Sequence, residues 1–212
     1  MRRSSKDNWS VFRSSFLAGS FIGMAGLGYV RTGGDWLGII LFSLGLVGCV
    51  WYNLYLYTGF IGFAKWREFD FTHIILLGNI LGTLAVAAIA RECFGGLGLE
   101  ENTAAIIQAR LSKSWIQALL LGIPCGLLMT FAVTPLKPWV TEGRTWIPLF
   151  FAVPMFLVCG FLHSIADSFY FWMMGKEWLI ENIWQVLLIW GSVVVGNFIG
   201  CNIPRILIND RR

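Results

Sequence analysis

Gly160-Phe161-Leu162-His163-Ser164-Ile165-Ala166-Asp167 lies inside an apolar run, Thr145 to Gly175, whose only charged residue is Asp167. Ionisable side chains at membrane depth cost several kcal/mol unless they line a watery path or find partners, so such a segment is a candidate site by default. The run is also 31 residues long, whereas about 20 residues cross a bilayer as a helix. A span that long is steeply tilted or interrupted. Pro154, which removes a backbone donor, and Gly160 favour an interruption. If the helix were continuous, His163 and Asp167 would share a face and could pair.

The rest of the chain fits the same setting. Of 212 residues, 57% are apolar and 13% charged, where a soluble domain carries about 25% charge. Six segments avoid Asp, Glu, Lys and Arg apart from Asp167: Ser14–Val30, Trp36–Ala64, Phe71–Ala90, Ser114–Leu136, Thr145–Gly175 and Asn182–Pro204. Trp36–Ala64, at 29 residues, is the other overlong one. Gly59, preceded by Thr58 and an aromatic run, is a place where its helix could unwind. Irregular backbone at that depth is tolerated only when enclosed by protein or facing a cavity. The basic Met1–Arg13 leads into the first span with no signal-peptide cleavage pattern.

With six spans and the amino terminus inside, eleven of the sixteen basic residues fall on the cytoplasmic side. They are Arg2, Arg3, Lys6, Arg13, Lys65, Arg67, Lys137, Arg144, Arg205, Arg211 and Arg212. The outer set is Arg31, Arg91, Arg110, Lys113 and Lys176. The positive-inside rule therefore puts both termini in the cytoplasm. The expected organisation is a single transmembrane domain over residues 1–212, with 1–13 and 205–212 as short cytoplasmic ends. The net charge of +4 is mostly this signal and suits anionic lipid headgroups, not nucleic acid.

Enzyme motifs are missing. There is no GxSG serine and no HExxH or His-rich cluster. The five cysteines, Cys49, Cys93, Cys125, Cys159 and Cys201, form no CxxC pair, so no metal or other cofactor is expected. His73, beside Asp70 and Thr72, reads as interfacial.

An internal repeat is visible. Gly78-Asn79-Ile80-Leu81-Gly82 recurs as Gly196-Asn197-Phe198-Ile199-Gly200, and each copy follows an overlong segment. Small-residue packing by chance is one reading. The other is three-plus-three inverted repeats with a pathway between discontinuous helices.

These residues together resemble the formate/nitrite transporter family, which includes hydrosulfide channels. The stretch from Gly160 to Asp167 is similar to the family's G-F-E-H-S-x-A-N. Phe42-Ser43-Leu44-Gly45-Leu46 and Leu56-Tyr57-Thr58 resemble its broken second helix, and Gly122-Ile123-Pro124-Cys125-Gly126 its fourth-span G-I-x-x-N. The resemblance runs from Leu17–Gly23 to the sixth-span GNxxG.

It implies an all-α membrane protein: six helices in an aquaporin-like inverted repeat, the second and fifth broken, assembled as a homopentamer with a pore in each protomer. It also implies a bacterial inner (plasma) membrane. By position, Phe42, Leu46 and Phe156 match one apolar constriction, and Leu56 and Tyr57 the other. His163 matches the central histidine, with Thr58, Asn197 and Asp167 around it. Arg110 falls at an outer-vestibule lysine, with Lys113 nearby. Four departures mark an atypical branch: Leu162 for Glu, Asp167 for Asn, Gly126 for Asn and Arg110 for Lys.

The expected activity is therefore non-enzymatic passage of a small monovalent weak-acid anion, or its neutral acid, across the lipid bilayer. Arg110 and Lys113 would concentrate the anion by field focusing, and His163 would assist by protonation or hydrogen bonding. Two other classes remain open on sequence: an intramembrane enzyme using His163 and Asp167 as a general base pair, and a structural subunit in which that pair glues helices.

Overall fold

The computed structural model describes residues 7–95, 98–137 and 145–208. Arg2, Arg3, Lys6, Arg144, Arg211 and Arg212 of the topology argument lie outside the described residues. The described residues are helical with no strand. Capping residues set the starts of three helices. The Asp7 carboxylate accepts the Trp9 N–H ahead of α1 (Asn8–Arg31), and Asp35 accepts that of Gly38 ahead of α2 (Trp36–Trp51). Ser114 and Gln117 form a reciprocal capping box at the start of α6 (Trp115–Val133). Between α1 and α2 the chain turns through Gly33 and Gly34, both at positive φ.

The elements fall into two similarly built halves. In the first, α1 and α2 are followed by the one-turn helix α3 (Tyr57–Phe60) and then α4 (Thr72–Phe94). Helix α5 (Leu99–Leu111) links to the second half, which runs α6, α7 (Ile147–Val158), α8 (Ser164–Met173) and α9 (Lys176–Leu207). Among the described residues, four helical stretches are long and apolar enough to cross a membrane: Asn8–Arg31, Glu68–Phe94, Trp115–Leu136 and Lys176–Leu207. Helices α2 and α7 are apolar but shorter, 16 and 12 residues.

Close packing of α1 on α4 and of α6 on α9 forms the two struts of the molecule. The GNxxG motifs make that closeness. A β-carbon at Gly82 would strike the Phe16 carbonyl of α1, and one at Gly200 the Ile123 carbonyl of α6. Gly126 belongs to the same contact: a β-carbon there would strike the Asn197 carbonyl, so no side chain fits in this packing. Large apolar side chains, among them Trp36, Phe151, Val158 and Trp184, are left on the outside, as expected of helices whose outer faces meet lipid or another apolar surface.

Candidate functional site

Each half leaves helix at the same kind of place. After α2, Asn53 takes a left-handed conformation (φ 52), and after α7 Gly160 does the same (φ 67). Backbone bonds close both ends in one pattern. Asn53 N–H donates to Val50 O and Leu54 N–H to Cys49 O; Gly160 N–H donates to Leu157 O and Phe161 N–H to Phe156 O. These pairs are the 5→2 and 6→1 bonds of a Schellman end. The chain then runs extended through Leu56 and His163, which stand at the caps of α3 and α8.

An extended stretch buried among helices must satisfy its backbone groups elsewhere. Two asparagines do this. Asn79 Oδ1 accepts the Tyr57 N–H (2.8 Å), while its Nδ2 donates to Tyr55 O (2.9 Å) and Ser15 O (2.7 Å). Asn197 Oδ1 accepts the Ser164 N–H (2.9 Å), and its Nδ2 donates to Leu162 O and Gly122 O, both at 2.9 Å. Both side chains are fully buried. Each amide holds its extended stretch at two points and ties it to the neighbouring strut.

His163 stands in the second extended stretch, 2% exposed. Its Nδ1 accepts the Ala166 N–H (3.2 Å), and its Nε2 lies 3.0 Å from Thr58 Oγ1. A backbone N–H can only donate, so Nδ1 is the acceptor nitrogen; in a neutral ring the hydrogen is then on Nε2 and points at Thr58. An imidazolium would set two N–H groups against each other at Ala166. The α8 N-terminus also disfavours a cation there. This geometry holds a neutral ring.

The anticipated His163–Asp167 pair does not form. The four-residue spacing brings side chains together only on continuous helix, and His163 is extended (φ −115, ψ 112), its ring folded over the helix end. Asp167, in the first turn of α8, instead accepts from Arg110: Nε to Oδ1 is 2.8 Å. Arg110 also donates from Nη1 to Ile106 O (3.3 Å). The side-chain exposures of the pair are 16% and 2%. Lys113 follows α5 without entering an ion pair among the described residues.

Aromatic rings stand on the α7 side of the histidine. Phe156 stacks on it at 5.7 Å and meets Phe42 edge-on at 5.7 Å. Leu46 lies one turn along α2 from Phe42, and all three are buried. On the Thr58 side, Leu56 and Tyr57 are buried as well, and Tyr57 Oη donates to Val194 O at 3.3 Å. No group of His, Cys, Asp and Glu among the described residues is placed to hold a metal ion.

Three contributors escaped the sequence reading. Asn79 was visible in the repeated GNxxG, yet only its twin Asn197 was singled out. Cys201 Sγ lies 3.2 Å from both the Thr58 and the Gly126 carbonyl oxygens, which share its one S–H. Tyr170, beneath Arg110, carried no motif. His73 is exposed in the first turn of α4, away from these residues.

A family model described as "Formate/nitrite transporter" matches residues 1–209. A solved structure described as "Pentameric formate channel with formate bound" superposes with a TM-score of 0.73 at 24% identity, covering 95% of each chain. Another, described as "FNT family ion channel", gives a TM-score of 0.77 at 18% identity, over 92% of this chain and 86% of that one. No curated protein matches the sequence. At these identities the likeness to the solved structures is one of fold.

Proposed function

Since the chain belongs to the formate/nitrite transporter family, we propose that it passes small monovalent weak-acid anions through a pore in each protomer. In this reading α2 with α3, and α7 with α8, are single interrupted spans. They make six with α1, α4, α6 and α9 in an aquaporin-like inverted repeat, both termini cytoplasmic. Arg110 then lies at the outer mouth, Phe42, Leu46 and Phe156 form the outer constriction, and Leu56 and Tyr57 the inner one. The formate channel it resembles is pentameric, and five copies of this chain around a lipid-filled or closed axis are the proposed assembly.

The observation that carries the reading is the placement of one neutral imidazole between two apolar sets, hydrogen-bonded to Thr58 at 3.0 Å. A bare carboxylate in an apolar slit pays an idealised desolvation cost of order tens of kcal/mol. Desolvation raises the permeant's own pKa, so it crosses the slit protonated and neutral. At the centre it meets the Thr58 hydroxyl, which accepts the Nε2–H and so keeps its own hydrogen as a donor for one small acid. Proton donation from an imidazolium would first require breaking the bond from Ala166, so hydrogen bonding is the role the geometry supports.

The enzyme reading is weakened by the same contacts, because the general base pair it needs is not formed. The experiment is flux of formate, nitrite and hydrosulfide into proteoliposomes at two pH values. Wild type should pass at least one of them, and His163→Ala should change rate or selectivity with assembly intact. Unaltered flux, selectivity and pH dependence in a well-folded His163→Ala protein would sink the central role of the ring.

A further inference from the structure

We propose that the groove between α4, α8 and α9 seats one acyl chain of a zwitterionic phospholipid, whose phosphate and ammonium meet the charges around Gly175. The inference concerns a lipid and not a permeant, and it does not depend on what the protein transports.

Helix α8 packs against both α4 and α9, and the three leave a groove of about 120 Å³. One wall is made by α9, with Leu179, Ile183, Val186, Leu187 and Trp190. These recur at helical spacing and so share a face. Ile80 of α4 and Phe171 of α8 stand on the other sides. Ser168, which also lines the groove, has its hydroxyl engaged: it donates to Ser164 O and accepts the Trp190 indole N–H, both at 2.9 Å. An ion or a peptide backbone in such a lining would lose its hydration without compensation. A hydrocarbon chain would not.

Length agrees with that occupant. From Leu179 to Trp190 the wall runs about 16 Å, at about 1.5 Å per residue. One leaflet of a hydrocarbon core about 30 Å thick is about 15 Å deep. The groove begins about one turn in from Lys176, the first residue of α9, and so reaches from that face of the membrane to its middle.

The shallow end is polar. Trp172 lines the groove there, and its indole nitrogen is buried without a hydrogen-bond partner among the described residues. Buried tryptophan N–H groups usually find an acceptor. Trp172 O accepts the Gly175 N–H at 3.3 Å, and the Arg91 guanidinium packs on Gly175, its Nη2 2.7 Å from where a β-carbon would stand. Exposed Lys176 is the next residue. Neither cation enters an ion pair among the described residues. In a phospholipid the ester carbonyl lies just below the phosphate. A chain in the groove therefore brings an acceptor to Trp172 and the phosphate to Arg91 and Lys176. Glu92 and Glu177, also exposed, adjoin these cations in the chain, so the rim carries both signs. That favours a headgroup in which an ammonium accompanies the phosphate.

The test titrates phosphatidylethanolamine or phosphatidylglycerol, with the same acyl chains, onto the delipidated assembly in detergent. Native mass spectrometry reads bound lipid and subunit number together. Phosphatidylethanolamine should bind at one per protomer, at least threefold more tightly than phosphatidylglycerol. Ile183→Trp fills the groove and should abolish that binding. Trp172→Phe keeps a ring, loses the N–H, and should weaken it at least threefold in a protein that still folds. Arg91→Gln combined with Lys176→Gln should weaken it about tenfold. Trp184→Leu, at a side chain 82% exposed on α9 and outside the groove lining, should leave it unchanged. Wild-type affinity in both Trp172→Phe and the double variant would overturn the proposal, as would phosphatidylglycerol binding as tightly as phosphatidylethanolamine. A wild-type assembly that takes up no lipid, and that falls into single chains in Ile183→Trp, would overturn it too and assign the groove to a neighbouring copy.

Discussion

Thr58 and His163 are bound to each other, and neither has a replacement partner in the described structure. Thr58→Val keeps the shape and removes the acceptor, leaving a buried Nε2–H unsatisfied, a loss of about 1–3 kcal/mol. Thr58→Ser restores the hydroxyl and should recover most of it. A thermal melt of both variants, with formate flux alongside, checks this; equal stability in Val and Ser would mean the ring points elsewhere. The histidine was readable in the sequence because an ionisable group in an apolar run stands out. Thr58, far away along the chain, was reached only through the family resemblance; the spacing rule that joined the ring to Asp167 presumes continuous helix, and the Ala166 N–H is backbone and carries no residue signature.

The two asparagine clamps make their prediction at the level of the extended stretches before α3 and α8. Replacing Asn197 by Leu takes the side-chain partner from the Ser164 N–H and the Leu162 carbonyl, and a second donor from Gly122 O, which keeps its place in α6; each unsatisfied buried group costs about 1–3 kcal/mol. Asn79→Leu takes the partner from the Tyr57 N–H and removes the amide's bonds to Tyr55 O and Ser15 O. Both should melt earlier than wild type and lose flux together. A variant that melts normally would show the amide bonds to be dispensable. Lys137 makes a further prediction just beyond α6. Its Nζ donates to Gly59 O at 3.1 Å, at the end of α3, and lies 4.4 Å from the Phe63 ring. Burial pulls its ammonium down from 10.5 to about 8. A base depressed by folding is protonated in both states below pH 8, where the burial penalty is complete. As pH rises toward 10.5 only the unfolded chain keeps the proton, so stability rises. Relative to Lys137→Met, the wild-type melting temperature should therefore climb between pH 8 and 10; a flat difference would count against a buried ammonium. At this scale the sequence showed overlong segments and a repeated GNxxG, and so the existence of two related halves. It could not show that the asparagines close the breaks, because their partners are backbone atoms and carry no residue signature.

The molecule as a whole carries +4, and the sequence reading made Arg110 and Lys113 a basic funnel drawing anions from a distance. The Arg110–Asp167 bond changes that expectation. Paired charges 2.8 Å apart look nearly neutral from beyond a Debye length of about 10 Å at 0.1 M salt, so only Lys113 of the two contributes at long range. Arg110 then acts by contact, and contact hydrogen bonds are screened little. Raising ionic strength from about 20 to about 300 mM shortens the screening length severalfold, yet the half-saturating formate concentration of wild type should move less than twofold. Asp167→Asn frees a full positive charge, and the same titration should then move it threefold or more. A steep salt dependence in wild type, unchanged in Asp167→Asn, would restore the funnel and remove the carboxylate from any part in setting it. Neither the pairing nor its consequence was legible beforehand: Arg110 and Asp167 sit on separate elements, and only the packing of α5 against α8 brings them into contact.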